Sequence, residues 1–156
     1  MARSLTWPDV LMGLIYLLDT NILSEPSRPQ PSPSVMSQLQ AHGHRVCTAA
    51  PVVHELQYGL ARMPMGRRRD TLTLYLEQVL HQVLTIFPYD RAAALWHAEE
   101  RARLSLQGHT PPFVDGQIAA IAAVNQLTLV TRNTSDFMDF ADLKIENWFL
   151  SSENSV

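Results

Sequence analysis

A chain of 156 residues with 46% hydrophobic and 17% charged side chains has the size and balance of one globular domain, which excludes a fibrous repeat, a polyelectrolyte coil or a disulfide-dense scaffold. Twelve basic against fifteen acidic side chains leave a net charge of -3, so the molecule as a whole offers no general attraction to nucleic acid or to an anionic membrane. The one cysteine, Cys47, has no internal disulfide partner and excludes a cysteine-based zinc site; its apolar neighbours mark it as a buried, inert thiol.

Residues 1–13 read as an N-terminal extension or leader, with Met12 a second candidate start. The longest apolar run, Val10 to Leu18, has nine residues, well short of the roughly 20 that cross a bilayer. Asp19, Thr20 and Asn21 follow it in place of a small-residue cleavage site, so no membrane association and a cytoplasmic location are expected. Leu14 to Leu18 is a short continuous apolar run of the kind found in a strand covered on both faces. The four prolines between Pro26 and Pro33 predict a loop, and a helix begins near Ser34 and stops at Gly43. Arg45 to Thr48 reads as a second strand. A helix from about Pro51 then carries Val52, Val53, Leu56 and Leu60, and breaks at Met63-Pro64-Met65-Gly66.

From Arg67 a further helix carries Leu72, Tyr75, Leu76, Val79 and Leu80, and Leu84 to Phe87 reads as a third strand. Asp90 is a natural N-cap for a long helix that stops at Gly108. Pro111-Pro112 opens the next helix, with Asp115 in its first turn. Leu127 to Thr131 is a fourth strand and Lys144 to Trp148 a short edge strand. The alternation of strands and helices predicts a three-layer α/β/α domain with a mostly parallel sheet over residues 14–149, followed by a tail over 150–156.

In such a sheet, ligands bind beyond the carboxyl ends of the strands. Asp19 directly follows the first strand and Asp136 lies just past the fourth, while Glu55 and Asp115 sit near the starts of helices that flank the same edge. Four carboxylates gathered there would repel one another unless a cation joined them. All-oxygen donors select hard ions such as Mg²⁺, with Mn²⁺ as a substitute. A metal so held activates water and stabilises a transferring phosphoryl group, which points to phosphodiester hydrolysis. Each acid also has a plainer reading as a turn residue, a helix cap or a solvated surface group.

Leu17-Leu18-Asp19-Thr20-Asn21, His54 to Gly59, Asp115 to Ala120 and Leu129 to Phe137, in that order, resemble the four motif blocks of PIN-domain nucleases, and most closely the VapC-type toxins of type II toxin-antitoxin pairs. The resemblance implies strand order 3-2-1-4-5, with Asp19, Glu55, Asp115 and Asp136 as catalytic acids and metal ligands. It further implies that Thr20 and Asn21 orient the first acid and that Thr131 and Asn133 line the fourth. The implied activity is Mg²⁺-dependent endoribonuclease cleavage of structured RNA, tRNA or rRNA, silenced by a cognate antitoxin. A PIN nuclease acting on DNA or in RNA processing, and a catalytically silent module that binds RNA or protein, remain as alternatives.

Other signals are weaker. His54-Glu55-Leu56-Gln57-Tyr58 opens like a zinc-protease helix but has Tyr58 where the second histidine belongs. A phospho-acceptor domain would need a lysine at the site, and the only one, Lys144, lies beyond the fourth strand. Arg67-Arg68-Arg69 is either a solvated helix start or a contact for RNA phosphate or antitoxin. Tyr75, Phe87, Trp96 and Trp148 fall at core or interface spacing and are assigned to packing, with a homodimer surface as the alternative for Tyr58 and Trp96. If the four acids serve a metal, the other eleven acidic residues face twelve basic ones, eleven of them arginines, and the scaffold outside the site is near neutral.

Overall fold

Five short strands lie side by side, all parallel: β1 (Tyr16–Leu18), β2 (Val46–Ala49), β3 (Ile86–Phe87), β4 (Thr128–Val130) and β5 (Ile145–Glu146). Their order across the sheet is β3-β2-β1-β4-β5, as the motif blocks imply. The computed structural model describes residues 13–80 and 84–151, so most of the expected leader and tail lies outside it. The outermost strands are shorter than the sequence predicts, at two residues each. An edge strand has a partner on one side only, and its ladder ends where that partner turns away.

Successive strand residues point to opposite faces of a sheet. In β1 both Leu17 and Leu18, and in β4 both Leu129 and Val130, are at most 1% exposed, so both faces are covered. Among the described residues the cover comes from α1 (Thr20–Leu23), α2 (Pro33–His42), α3 (Ala50–Arg62), α4 (Arg67–Gln78), α5 (Arg91–Leu106) and α6 (Phe113–Val124). None of these helices is long and apolar enough to cross a membrane.

The proline-rich stretch is more ordered than a loop. A 3-10 turn spans Glu25–Ser27, and α2 begins at Pro33 with Ser32 Oγ accepting from the Val35 amide at 3.4 Å. Between them Glu25, only 5% exposed, accepts from the Ser32 amide at 2.9 Å and pairs with Arg28 at 3.3 Å. The carboxylate gives the Ser32 amide an acceptor just before the helix starts.

Helix α3 buries Val52, Leu56 and Leu60, four residues apart, as one stripe. Helix α6 is buried on most sides, through Gly116 and Ile118 to Ala122, because it packs against α5, α3 and β4. At Gly116 the helix comes so close to α5 that an added Cβ would lie 2.1 Å from His97 Nε2. Asp90 caps α5 as expected, its Oδ1 accepting from the Ala93 amide at 3.0 Å. Cys47 is fully buried, and burial pushes its thiol up to about 12.

Register decides what meets at the carboxyl edge. Leu18 pairs with Val130, and the Asp19 amide donates to the Val130 carbonyl at 2.9 Å. Asp19 and Thr131 therefore leave adjacent strands side by side, at the point where the connections diverge to opposite halves of the sheet.

Candidate active site

Asp19 ends β1 and caps the single turn of α1. Its Oδ1 accepts from the Thr20 amide at 2.8 Å and its Oδ2 from the Thr131 hydroxyl at 2.8 Å. Both oxygens are thus held, and the side chain is 6% exposed. Burial raises the carboxyl above its ordinary 3.8; the hydrogen bonds from Thr131 and Thr20 oppose that, and the Glu55 charge adds to it. Glu55, half-buried on α3, accepts from the Thr20 hydroxyl at 2.5 Å.

The polar residues around the acids divide their work differently from the motif-based expectation. Thr20 serves two acids, Asp19 through its amide and Glu55 through its hydroxyl. Asn21 turns away to accept from the Arg132 amide at 3.0 Å, which ties the α1 turn to the segment after β4. Thr131 donates to the first acid rather than lining the fourth, because the β1–β4 register sets it beside Asp19. The same Thr131 hydroxyl accepts from the Asn133 amide at 3.1 Å, so Asn133 shapes the turn through its backbone.

Asp136 closes the 3-10 turn Thr134–Asp136 and is exposed. Asp115 is half-buried in the first turn of α6. Its carboxyl is pushed up to about 6, first by burial and then by the charges of Asp136, Asp19 and Glu55. That repulsion ties the four acids to one region of the sheet edge. Among the described residues no three acidic, histidine or cysteine side chains close on one point as a ready-made cage. Mg²⁺ does not ask for one, since it binds through one or two carboxylates and keeps several waters. An all-oxygen donor set with a repulsive excess of negative charge fits a hard divalent cation.

The arginine run is partly committed to the fold. Arg68 Nη1 donates to the Ser27 carbonyl at 2.6 Å and Arg69 Nη1 to the Met63 carbonyl at 2.9 Å, which pins the start of α4 to the 3-10 turn Glu25–Ser27 and to the end of α3; Arg67 is exposed. A further exposed cation is Arg132, directly after Thr131, its guanidinium 4.5 Å from the Phe149 ring centroid. Its position two residues past the end of β4 is the signal in the sequence that singles it out.

The comparisons with known proteins agree with this geometry. Residues 16–143 match the family model for the PIN domain. The toxin FitB of Neisseria gonorrhoeae is 36% identical over 136 residues, covering 85% of this chain and 97% of FitB. A tRNA(fMet)-specific endonuclease VapC of Shigella flexneri is 30% identical over 135 residues, covering 86% of this chain and 98% of that protein. In the crystal structure of VapBC2 from Rickettsia felis bound to a DNA fragment from their promoter, the matching chain has a TM-score of 0.74 and 26% identity, covering 86% of this chain and 99% of that one. With a family model spanning most of its length and relatives matched almost end to end, the chain belongs to the PIN-domain family, in its VapC-type branch.

Proposed function

We propose that this protein is a metal-dependent endoribonuclease, the toxin of a type II toxin-antitoxin pair, which cuts phosphodiester bonds of structured RNA such as tRNA or rRNA. The observation that carries this reading is the pair Asp19 and Glu55 joined through Thr20 at the carboxyl edge of the sheet, with the charges of Asp136, Asp19 and Glu55 adding to the burial that raises Asp115 to about 6. The names of the relatives, a toxin and a tRNA endonuclease, support the same reading. The VapBC2 complex supports a protein antitoxin as partner. Self-association as a homodimer belongs to the same proposal, with exposed Tyr58 on its candidate surface.

Mg²⁺, bound through these acids, would supply a polarised water and neutralise charge on the phosphoryl group. The chain's own residues do the positioning. Thr20 and Thr131 lock both oxygens of Asp19, so that acid is oriented before any ligand arrives. Thr20 also fixes one oxygen of Glu55 and leaves the other free to accept from a ligand. Asp115, raised to about 6 by burial and by the neighbouring charges, holds its proton more tightly than an ordinary aspartate, and a cation bound there would favour its ionised form. Arg132, exposed after β4 with its guanidinium over the Phe149 ring, is a contact for the RNA backbone.

Induced expression tests the biological half of the reading. Wild-type protein arrests growth and generates new 5′ ends in tRNA or rRNA, and co-expression of its partner lifts the arrest. Arrest without new RNA ends would contradict the proposed substrate.

A further inference from the structure

Beside the carboxylates, on the β2–β3 half of the same edge, the first turns of α3 and α6 stand apart around an open cleft of about 280 Å³. Ala50, Pro51 and His54 line it from α3, Val114 and Gln117 from α6, and Tyr89 from the segment after β3. The cleft and the acids share two helices: His54 precedes Glu55, and Asp115 lies between Val114 and Gln117. Along α6 Gln117 lies about 3 Å of rise and about 200° of turn from Asp115, so the cleft opens on the flank of the helix away from the acid, and a bound strand that passes over the helix start brings a neighbouring nucleotide to it.

The chemistry of the lining narrows the occupant. Ala50, Pro51 and Val114 give an apolar floor, and no Lys, Arg, Asp or Glu lines the cleft, so neither a phosphate nor a cation is served there. The polar groups are the Tyr89 hydroxyl, the His54 ring and the Gln117 amide, all able to hydrogen-bond. The Tyr89 hydroxyl is held 2.9 Å from Nδ1 of the buried His97. The His54 ring lies parallel to Tyr58, 6° between planes and 6.0 Å between centroids, and so is steadied as a flat platform at the rim. Gln117 carries a donor and an acceptor on one amide, the pair that reads a base edge in two hydrogen bonds.

We propose that this cleft is a nucleobase subsite, which receives the base of a nucleotide next to the scissile phosphate, and that Gln117 is a specificity-determining residue reading its edge. The proposal rests on the ribonuclease reading and deepens it: the acids cut, and the cleft selects where. An apolar side chain of a protein partner is the competing occupant. The hydrogen-bonding groups of the lining and the shared helices favour the base.

The test uses short RNA substrates with each position flanking the cut varied over the four bases, cleaved by the full chain in Mg²⁺. Wild-type protein is expected to prefer one or two bases at one flanking position, and Gln117→Leu to flatten that preference by about 5- to 100-fold in kcat/KM. The loss should fall on KM, with kcat on the least favoured base and Mn²⁺ binding unchanged. Tyr89→Phe, which keeps the ring, should flatten the profile part-way and serves if Gln117→Leu does not fold. An identical base profile in wild type and folded variants would overturn the subsite while leaving the nuclease reading in place. The same holds if the variants lose only their grip on the co-expressed partner protein. Wild-type protein that cuts none of the RNAs in Mg²⁺ would overturn the nuclease reading, and the subsite with it.

Discussion

Replacing Gly116 by alanine adds one methyl group where α6 meets α5, and its effect can be worked from the contact. The new Cβ would stand 2.1 Å from His97 Nε2 and 2.6 Å from Cδ2, whereas ordinary contact begins near 3.4 Å. One partner must therefore move by about 1.3 Å. His97 is poorly placed to yield, since it is 3% exposed, hydrogen-bonded to Tyr89, and 4.8 Å from the Phe113 ring centroid. The helix moves instead, and Asp115 is the adjacent residue. Overpacking costs about 1–3 kcal/mol, and alanine returns roughly 0.8–1 kcal/mol of helix propensity. A net loss of about 0–2 kcal/mol lowers Tm by up to about 8 °C at this chain length. The activity loss is larger in proportion, because a misplacement of about 1 Å costs on the order of 100-fold.

Thermal melts and kcat/KM on an RNA substrate, run in parallel on the same preparations, measure the two effects. Gly59→Ala is the control: it sits inside α3 with nothing within 4 Å of a new Cβ, so it should gain about 0.4–1 kcal/mol and leave activity intact. Adding His97→Ala to Gly116→Ala should restore part of the lost activity by making room for the methyl. A Gly116→Ala protein that melts and cuts like the wild type would refute the claim that this contact sets the position of Asp115.

Thr131→Val keeps the shape of a fully buried side chain but leaves Asp19 Oδ2 and the Asn133 amide without their partner; denaturant unfolding at pH 7 should show a loss of about 1–3 kcal/mol, with Thr131→Ser losing much less. For Asp115 the folded carboxyl is raised from 3.8 to about 6, so the native state binds more protons than the unfolded one between those values. Its contribution to stability is therefore fully present below pH 3.8 and lost as pH rises through about 6. Metal-free Asp115→Asn should match the wild type at pH 3.5 and exceed it at pH 7 by on the order of 1 kcal/mol after solvent screening. Mg²⁺ should narrow that gap at pH 7. Equal stabilities at both pH values would contradict the charge crowding.

The sequence carries the sheet and the four acids because both are local statements. Leu14 to Leu18 and Leu127 to Thr131 are continuous apolar runs in a strand's length, and each is followed at once by polar residues. What it leaves out depends on register and close approach. The bond between Thr131 and Asp19 joins residues 112 apart, and it follows only from the pairing of Leu18 with Val130. The fit of Gly116 on His97 depends on how near α5 lies to α6; the sequence shows only a glycine inside a helical pattern, which is the kind of residue that marks such an approach. Glu25 is similar: a carboxylate among prolines reads as solvated until its bonds to Ser32 and Arg28 show it closing the turn. The cleft between α3 and α6 draws on three separate segments, and no one of them announces it.

The central claim is that the acids at the β1–β4 edge form a metal-dependent nuclease site, and the most direct measurement is RNA cleavage by purified protein with Mg²⁺ or chelator, wild type against Asp19→Asn. The substitution keeps the size of the side chain: with Oδ1 still accepting from the Thr20 amide, Nδ2 would donate to the Thr131 hydroxyl instead of the oxygen accepting from it, so the fold should survive by circular dichroism. The account predicts cleavage by wild type in Mg²⁺, none in chelator, and at least a 100-fold loss in the folded variant, about the scale of removing one preorganised electrostatic group. Cleavage in chelator, or full activity in Asp19→Asn, would contradict it.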